Sequence, residues 1–320
     1  MRVAVDTTPL LGRLTGVGQA VQGLLGALGA AAADVEVVRW ELTRRSLPVP
    51  PRALLQLWRR GDRPRADRWL PAADVVHGTN FVAPPVRRPS TVTVHDCWCA
   101  RHPSSCDPTI AAATATVARA VRRGTWLHVS TEWVADEVRS LYGADRVRVV
   151  PFGVPVVPEA GPSPIDGPYV LALGSSRDPR KGHDSLRTAM LDVPDVQLVQ
   201  VGPEQWVDEP TRAALLRGAR AVAYPSRYEG FGFPVLEAMS VGVPAVATAV
   251  GGVPEVADGA ALLVPLDDVD ALAGALRTAV EDETERARLI AAGLERVRAF
   301  SWDAHAAGMA QLWRDARAAG

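Results

Sequence analysis

Residues 225–240 read PSRYEGFGFPVLEAMS, in which Glu229 and Glu237 lie on either side of a run of glycine, phenylalanine and proline. The preceding stretch, ARAVAYPS at 219–226, has the pattern of a buried strand, so Glu229 is predicted to lie in the loop at its carboxyl end. Pro234 suits the first position of a following helix, because its ring sets a helical φ and it has no N–H to leave unpaired. Glu237 is then expected about one turn into that helix.

The run between the two glutamates has two properties that suit a ligand. Glycines at 230 and 232 allow backbone N–H groups to approach a ligand closely, and a helix N-terminus attracts phosphate. Together they predict a pocket that hydrogen-bonds a polyol and neutralises a phosphate. A plainer interpretation stays open from these residues alone: Glu237 is a carboxylate favoured by the helix dipole, and the Gly/Phe loop only packs.

Short β-branched runs alternate with helical stretches along the whole chain, which is typical of parallel α/β sheets. The Pro/Gly-rich segment 151–168 indicates a linker between two such patterns. We therefore predict an α/β protein with Rossmann-like domains at 1–160 and 161–300, and ligands beyond the carboxyl ends of the strands. The predicted strands are 3–5, 35–40, 74–76, 91–95, 126–130, 147–150, 169–174, 196–202, 219–226 and 244–250. The predicted helices lie near 17–30, 108–122, 131–141, 209–217, 268–280, 282–298 and 302–318.

Composition narrows the class of protein. The 320 residues are 48% apolar and 22% charged with a formal net charge of −1, which is ordinary for a soluble protein and argues against nucleic acid as a partner. The charge is uneven, because residues 1–160 carry 20 basic and 14 acidic side chains and the remainder 15 and 22. No apolar stretch approaches the roughly 20 residues that span a bilayer, and the N-terminus lacks a signal-peptide pattern. A cytoplasmic location is expected.

The segment YPSRYEGFGFPVLEAM at 224–239 resembles the signature of the retaining glycosyltransferases of family 4. The resemblance covers most of the chain and implies the GT-B fold, in which two Rossmann-like domains face a central cleft. It also implies that a C-terminal helix, residues 301–320, crosses back onto the first domain. The other matching motifs, in chain order, are MRVAVDTTPL with TGVGQAV, DVVHGTNFVAPP with STVTVHD, VSTEWVADEV with VRVVPFGV, LGSSRDPRKG, GGVPEVADGAALLVPLD and FSW.

The resemblance implies a role for each residue that matches a motif. Glu229 would bind hydroxyls of the donor sugar, and Glu237 would hold the ribose hydroxyls of the nucleotide. Gly16 would close over the phosphates, and His95 would lie in the active site beside Asp96. Backbone N–H groups would reach the sugar from Gly230, Phe231, Gly232 and Phe233.

Lys181 is the only lysine among the 35 basic residues of the chain. With Arg180, in DPRKG, it is implied to neutralise the diphosphate of the donor. A fixed cation there lowers the barrier electrostatically as a nucleoside diphosphate departs, and a compact ammonium differs from a guanidinium at such a site. Arg177 departs from the spacing usual in the family, so Arg177 and Arg180 both remain candidates for the second phosphate ligand. A merely solvated lysine is the alternative.

The stretch HDCWCARHPSSC around His95 offers competing interpretations. His95 follows an alternating strand, and a histidine at a strand end is often only a satisfied polar group. Five side chains within 12 residues are able to bind metal, but structural zinc sites pair ligands with a distant second pair, so buried free thiols are favoured over zinc. The five are His95, Cys97, Cys99, His102 and Cys106.

The implied activity is transfer of a hexosyl unit, with mannose favoured, from a GDP- or UDP-linked donor to an acceptor hydroxyl with retention and without a metal or cofactor. The acceptor is left open among a glycan, a lipid-linked glycan and a small metabolite. The acidic run at 267–270 is interpreted as a helix cap rather than a metal motif. The alternative function is a GT-B protein with weak or no turnover that binds a sugar nucleotide or serves a partner.

Two segments qualify this interpretation. The basic segment 44–69 has eight arginines and two tryptophans, which suits either peripheral contact with the inner face of a membrane or a solvated loop. Only a short connection follows Gly202, where family members usually have a further helix and strand that help to hold the nucleotide base. The shortened segment 202–209 therefore leaves the identity of the base open.

Overall fold

The computed structural model describes residues 1–43 and 49–320. The chain divides into two compact units, one of Met1–Gly153 with Ser301–Gly320 and one of Val154–Phe300. The first unit thus ends earlier than the predicted residue 160. Residues 151–168, the predicted linker, contain neither helix nor strand.

Each unit contains a sheet whose paired strands are all parallel. The first unit contains β1 Arg2–Asp6, β2 Glu36–Trp40, β3 Val75–Gly78, β4 Ser90–Thr93, β5 Trp126–Val129 and β6 Val147–Val149. The second contains β7 Tyr169–Leu173, β8 Gln197–Val201, β9 Ala221–Tyr224, β10 Ala245–Thr248 and β11 Leu262–Val264. The strand orders are β2-β1-β3-β4-β5-β6 and β11-β10-β9-β7-β8. Strands such as β7 and β9 are buried along their whole length, as expected for a parallel sheet covered on both faces.

Helices connect the strands of both sheets. In the first unit they are α1 Gly16–Ala31, α2 Pro51–Arg60, α3 Trp98–Arg101, α4 Pro108–Thr114, α5 Val117–Arg122 and α6 Glu132–Tyr142. In the second unit they are α7 His183–Ala189, α8 Glu209–Gly218, α9 Phe233–Ser240, α10 Val253–Ala257, α11 Val269–Glu281 and α12 Glu283–Arg296. The chain ends with α13 Trp302–Ala318 in the first unit. The predicted helix near 108–122 is two helices, α4 and α5. Helices α2, α3, α7 and α10 and strand β11 were not predicted.

Helix α13 is part of the core of the first unit. Met309 and Trp313 are fully buried in one cluster with Val3 and Val5 of β1. The ring of Trp302 occupies the space beside Gly23 of α1, where an added Cβ would lie 2.3 Å from it. Removing α13 would therefore expose one face of the first sheet.

Within the basic segment, the apolar side chains are used for packing. Residues 51–60 form helix α2, and its Leu54, Leu55 and Trp58 are almost fully buried in the core of the first unit. Trp58 Nε1 also donates a hydrogen bond to the Pro64 carbonyl at 2.8 Å. The loop interpretation was wrong for residues 51–60, because they form a helix whose apolar side packs into the core of the first unit. Contact of this segment with a membrane stays a prediction. Residues 44–48 lie outside the described residues.

The cysteines also differ from the prediction. Cys99 and Cys106 form a disulfide, and only Cys97 is a buried free thiol. The zinc alternative loses two of its five ligands, because those sulfurs are bonded to each other. Across residues 1–43 and 49–320, no three His, Cys, Asp or Glu side chains are grouped to hold a metal ion.

The connection between β8 and α8 is short, as the sequence indicates. Only residues 202–208 separate the two elements. Gly202 N donates to the Gln205 carbonyl at 3.2 Å, and the Glu204 carboxylate accepts hydrogen bonds from Ser175 Oγ at 2.7 Å and Ser176 N at 3.0 Å. These contacts hold the connection against the loop that follows β7.

None of the helices within the described ranges is both long enough and apolar enough to cross a bilayer.

Candidate functional site

The stretch around the two glutamates folds as a strand, a loop and a helix. Strand β9 ends at Tyr224, Glu229 lies in the loop, and α9 begins at Phe233 after Gly232, whose φ is 102°. Pro234 is thus the second helical residue rather than the first. Glu237 lies in α9 with a relative exposure of 2%. The N-cap residue is Gly232, which has no side chain to accept from the first N–H groups of the helix.

Lys181 and Glu229 form an ion pair. Their Nζ and Oε1 atoms are 2.5 Å apart, and the side chains are 22% and 15% exposed. The ammonium also lies 5.4 Å from the centre of the Tyr224 ring. Burial, followed by the negative charge of Glu229, raises the pKa of Tyr224 well above its ordinary value. Two predicted site residues from distant parts of the sequence thus meet at the carboxyl end of β9.

Two glycines allow neighbouring loops to reach this strand end. Gly182 has a φ of 64°, and a Cβ there would lie 2.0 Å from the Pro225 carbonyl oxygen. Gly251 has a φ of 58°, and its added Cβ would lie 1.9 Å from the Glu229 carbonyl oxygen. Only glycine combines this backbone conformation with such a close approach. The positions of Lys181 and Glu229 therefore depend on Gly182 and Gly251.

The two candidate arginines of the phosphate site differ in their contacts. Arg180 Nη2 donates to Asp178 Oδ2 at 2.7 Å, and Arg180 Nε donates to the same carboxylate at 3.1 Å. Arg177 is exposed, and its guanidinium makes no ion pair within the part of the chain that the structure describes.

Glu237 has a partner that the sequence did not predict. Arg212, in the first turn of α8, places Nη2 2.5 Å from Glu237 Oε2, and the side chains are 18% and 3% exposed. The short connection after β8 starts α8 early enough to bring Arg212 to this helix. No local sequence signal distinguishes Arg212 from the other arginines of the chain, so only the folded unit identifies it.

The phenylalanines in the run between the two glutamates pack against each other and against Phe300. Phe231 is 6% exposed, and its ring lies 5.3 Å from Phe233 and 5.8 Å from Phe300, centre to centre. Phe231 and Phe233 therefore have a packing role, and whether the run also contacts a ligand stays a prediction. The acidic run at 267–270 is a cap, as predicted: Asp268 Oδ1 accepts from Ala271 N at 2.9 Å, and Asp267 pairs with Arg227 at 3.0 Å.

In the first unit, His95 follows the carboxyl end of β4. Its Nε2 lies 2.9 Å from the Thr79 carbonyl oxygen and so donates a hydrogen bond to it. The ring stacks on Phe152 and meets Phe81 edge-on, with centres 5.8 Å away in each case. Burial lowers the pKa of His95 to about 4, so the imidazole is neutral at physiological pH. Asp96 Oδ1 accepts from Trp98 N at 2.9 Å.

A chain of buried histidines lies beside His95, and the sequence did not single it out. His77 Nδ1 contacts Thr91 Oγ1 at 2.8 Å, and His128 Nδ1 contacts Thr93 Oγ1 at 2.9 Å. Their spacing follows from the register, because His77 is opposite Thr91 on β4 and Thr93 is opposite His128 on β5.

Gly16, expected in a loop, is the first residue of α1, after the N-cap Thr15.

Two family models match this chain. Residues 14–157 match the model described as Glycosyltransferase Family 4, and residues 205–296 match the model described as Glycosyl transferases group 1. The chain belongs to glycosyltransferase family 4. This membership agrees with the resemblance found in the sequence, and the matched regions include His95 in the first unit and both glutamates in the second.

Several curated relatives are similar to this family 4 chain over part of their length. Phosphatidyl-myo-inositol mannosyltransferase of Mycolicibacterium smegmatis is 33% identical over 209 residues, which cover 56% of this chain and 54% of that protein. D-inositol 3-phosphate glycosyltransferase of Xylanimonas cellulosilytica is 32% identical over 237 residues, or 59% and 57% of the two chains. O-antigen chain mannosyltransferase B of Escherichia coli is 39% identical over 114 residues, or 33% and 30%. The chain thus spans about half the length of these relatives or less.

Solved structures are similar over the whole chain. Sucrose-phosphate synthase from Thermosynechococcus elongatus has a TM-score of 0.77 at 22% identity, with 100% of both chains covered. HepE of Anabaena, solved with UDP-glucose, has a TM-score of 0.68 at 16% identity, with 98% of this chain and 100% of that chain covered. At these identities the likeness concerns the fold alone. The family 4 chain has the GT-B fold that the sequence predicted.

Proposed function

We propose that this protein is a retaining glycosyltransferase that moves a hexosyl unit, with mannose favoured, from a GDP- or UDP-linked donor to an acceptor hydroxyl without a metal ion. The observation that supports this most is the Lys181–Glu229 pair at the end of β9, next to the start of α9. It combines a cation for a leaving diphosphate with a carboxylate for sugar hydroxyls.

The roles of the second-unit residues follow from charge and position. Glu229 accepts hydrogen bonds from the donor sugar, and Lys181, which neutralises Glu229 in the free protein, turns to the diphosphate when the donor binds. Backbone N–H groups from Gly230 to Phe233 hydrogen-bond the donor sugar, and the N-terminus of α9 adds positive potential near the diphosphate. Glu237 accepts hydrogen bonds from the ribose.

Arg177 is the better candidate for the second phosphate ligand. Two guanidinium nitrogens of Arg180 already donate to the Asp178 carboxylate. Arg177 belongs to the same loop, is exposed, and has no carboxylate partner among the residues described. Lysine and arginine together would balance the diphosphate charge that a divalent metal balances elsewhere, which is our reason to propose metal independence.

The names of the similar proteins support the donor class. Two of the curated relatives are mannosyltransferases, and HepE was solved with UDP-glucose. The first unit would contribute His95, whose neutral imidazole is a hydrogen-bonding group for the donor or acceptor, and Gly16, which would close over the phosphates.

The proposal is tested by measuring the thermal midpoint of the full chain with GDP- and UDP-linked hexoses. A ligand at about 100 times its dissociation constant stabilises the native state by about 2.7 kcal/mol, so a true donor raises the midpoint by several degrees. Arg177→Ala should reduce this shift more than Arg180→Ala. Proton NMR of the product then reports the anomeric configuration. An absence of any shift with every donor tested, or an inverted anomer, contradicts the proposal.

A second candidate function is supported by two observations. Arg212 occupies the carboxylate that would bind ribose, and the connection that would help to hold the base is short. A protein that binds a sugar nucleotide or serves a partner without turnover fits these facts. It is distinguished by a donor that raises the midpoint while neither transfer nor hydrolysis of the donor is detected.

A further inference from the structure

A pocket of about 280 Å³ lies in the first unit at the carboxyl ends of β1 and β3. Strand β1 ends at Asp6, which lines the pocket, and β3 runs into Asn80, Phe81 and Val82, which line it too. These three residues belong to the HGTNFV motif at 77–82, which the proposed donor site does not use. The volume is close to the lower limit of about 300 Å³ for pockets that hold small ligands.

The walls of this pocket are apolar. Leu42, Leu55 and Val82 line it together with Phe81, and Ile110 of α4, 47% exposed, is also part of its lining. No lysine or arginine is among the lining residues that the structure describes. An apolar body is favoured in such a space, because it removes hydrocarbon surface from water at about 25 cal/mol per Å².

One end of the pocket is polar, and it accepts hydrogen bonds. Asp6 Oδ1 accepts from Thr8 N at 2.9 Å and Thr8 Oγ1 at 2.5 Å, whereas no residue of the described chain donates to Oδ2. Asn80 Oδ1 is buried and has no donor among the described residues. Buried polar atoms in proteins nearly always have a partner, so the buried Asn80 Oδ1 indicates a ligand that donates, and the Asp6 carboxylate lines the same pocket as a further acceptor.

The pocket is connected to His95. The ring of Phe81 separates the two, with its centre 5.8 Å from that of the imidazole. Thr79 accepts from His95 at 2.9 Å and donates from Oγ1 to the Asp6 carbonyl at 3.0 Å. Phe81 itself has a φ of 61°, a strained conformation for a bulky residue that is typical of functional sites.

We infer that this pocket binds the acceptor, and that the acceptor is a neutral alcohol with an apolar body whose hydroxyl donates to Asp6 and Asn80. The inference rests on the proposed transfer to a hydroxyl and specifies its substrate class. A phosphate or carboxylate head group offers no donor to these two acceptors. It would also meet the Asp6 carboxylate without a compensating cation in the lining.

Asp6 is able to accept a hydrogen bond from the acceptor hydroxyl at neutral pH. Burial raises the pKa of its carboxyl group to about 6, while the Thr8 hydrogen bonds oppose the rise. The group is therefore mostly ionised at pH 7 and mostly protonated at pH 5. Below pH 6 it becomes a donor, and its preference for a hydroxyl over a carboxylate should weaken.

The test measures binding to the full chain without any donor, using two fluorinated probes with the same apolar body. Fluorine NMR compares 4-(trifluoromethyl)benzyl alcohol with 4-(trifluoromethyl)benzoate at pH 7.5. We expect the alcohol to bind at least tenfold more tightly than the benzoate. Asp6→Asn should reduce this ratio at least threefold, because it removes the charge that repels the benzoate. A benzoate that binds as tightly as the alcohol, or a ratio unchanged by Asp6→Asn, overturns the inference.

A matched pair of variants locates the binding. Ile110→Glu places a charge at an exposed pocket residue and should weaken binding of the alcohol at least tenfold. The control, Leu294→Glu, changes a residue of similar exposure (43% against 47%) in the second unit and should leave binding of the alcohol unchanged. Equal effects of the two variants overturn the location. Donor binding is measured separately by the thermal shift. If the chain binds the alcohol but no sugar nucleotide, the proposed function is refuted and the alcohol pocket is still supported. If it binds a sugar nucleotide but not the alcohol, only the inference about the pocket is refuted.

Discussion

Arg212 Nη2 lies 2.5 Å from Glu237 Oε2, and both side chains are largely buried in the second unit. The pair exists because only residues 202–208 separate β8 from α8, which brings the first turn of α8 to α9. Arg212 thereby compensates a carboxylate that is 3% exposed and would otherwise be costly to keep ionised. In the proposed transferase, the arginine holds the Glu237 carboxylate in position for the ribose hydroxyls; in the second candidate function, it occupies that carboxylate instead.

Replacement of Arg212 should therefore affect both stability and donor binding. Arg212→Ala removes the arginine that pairs with the buried Glu237 carboxylate, and we expect the free energy of unfolding to fall by roughly 3 kcal/mol and the donor to bind about tenfold more weakly. Urea denaturation and calorimetry with the donor nucleotide measure the two effects. The control is Arg288→Ala, which removes a solvent-exposed pair with Glu285 and should cost less than about 1 kcal/mol. Equal costs for the two variants contradict our interpretation.

Lys181 allows a chemical test, since it is the only lysine in the chain. Acetylation of amines modifies this side chain and the α-amino group of Met1, removing the charge that faces Glu229. We expect turnover to fall by about 100-fold, as it does when one electrostatic group of an active site is lost, and a bound sugar nucleotide to protect the residue. Mass spectrometry measures the extent of modification. Full activity after complete acetylation of Lys181 would show that its charge is not needed.

Gly182 offers a test of loop position. Gly182→Ala adds a Cβ 2.0 Å from the Pro225 carbonyl oxygen, so the loop that carries Lys181 must shift. We expect a loss of at least tenfold in turnover and a lower thermal midpoint. Gly259→Ala is the matched control, because Gly259 also has a positive φ, 81°, but nothing lies within 4 Å of its added Cβ. It should show only the cost of the backbone conformation, about 1 kcal/mol, and no change in turnover.

Stability should decrease on acidification because of the buried histidines. Burial lowers the pKa of His77 to about 3 and of His95 and His305 to about 4, and it holds that of His128 well below its ordinary value. The unfolded chain takes up protons near pH 6.5 and the folded chain does not. The stabilisation is therefore complete above pH 6.5, is lost as the pH falls toward 4, and changes by up to about 1.4 kcal/mol per pH unit for each histidine.

Between pH 6 and 4, the titration of Asp6 changes the stability in the direction opposite to that of the histidines. Burial raises its pKa to about 6, so between pH 6 and 4 the folded chain holds a proton that the unfolded chain releases. Because four histidines oppose one carboxyl, the net slope should still be destabilising. Urea midpoints at pH 7, 6 and 5 measure it, and His305→Asn should reduce the slope. A midpoint that stays constant from pH 7 to 5 contradicts the prediction.

The sequence was most informative where spacing and chemistry act locally. The alternation of strands and helices predicted two parallel sheets, and the GT-B class followed from the order of the motifs. Asp268 was correctly predicted as a cap, since a cap depends on only a few consecutive residues. Lys181 stood out because it is chemically unusual in an arginine-rich chain.

Predictions failed where the outcome depended on which side of an element the fold covers. The loop interpretation of the basic segment failed for residues 51–60, which form a helix whose Leu54, Leu55 and Trp58 pack into the first unit. Cys99 and Cys106 were predicted as free thiols, although the turn after α3 brings them together. Arginine content and cysteine spacing do not reveal these contacts, because each requires the position of a second element.

The amino-acid sequence alone predicted the alternating architecture, the family and the residues of the proposed donor site, because these predictions rest on local periodicity and on consecutive motifs. The fold decided which of those residues meet. Lys181 and Glu229 are 48 positions apart and Arg212 and Glu237 are 25, yet each pair is in contact. Parallel strands bring distant loops to one edge of a sheet, so contacts between those loops exist only after the sheet has formed.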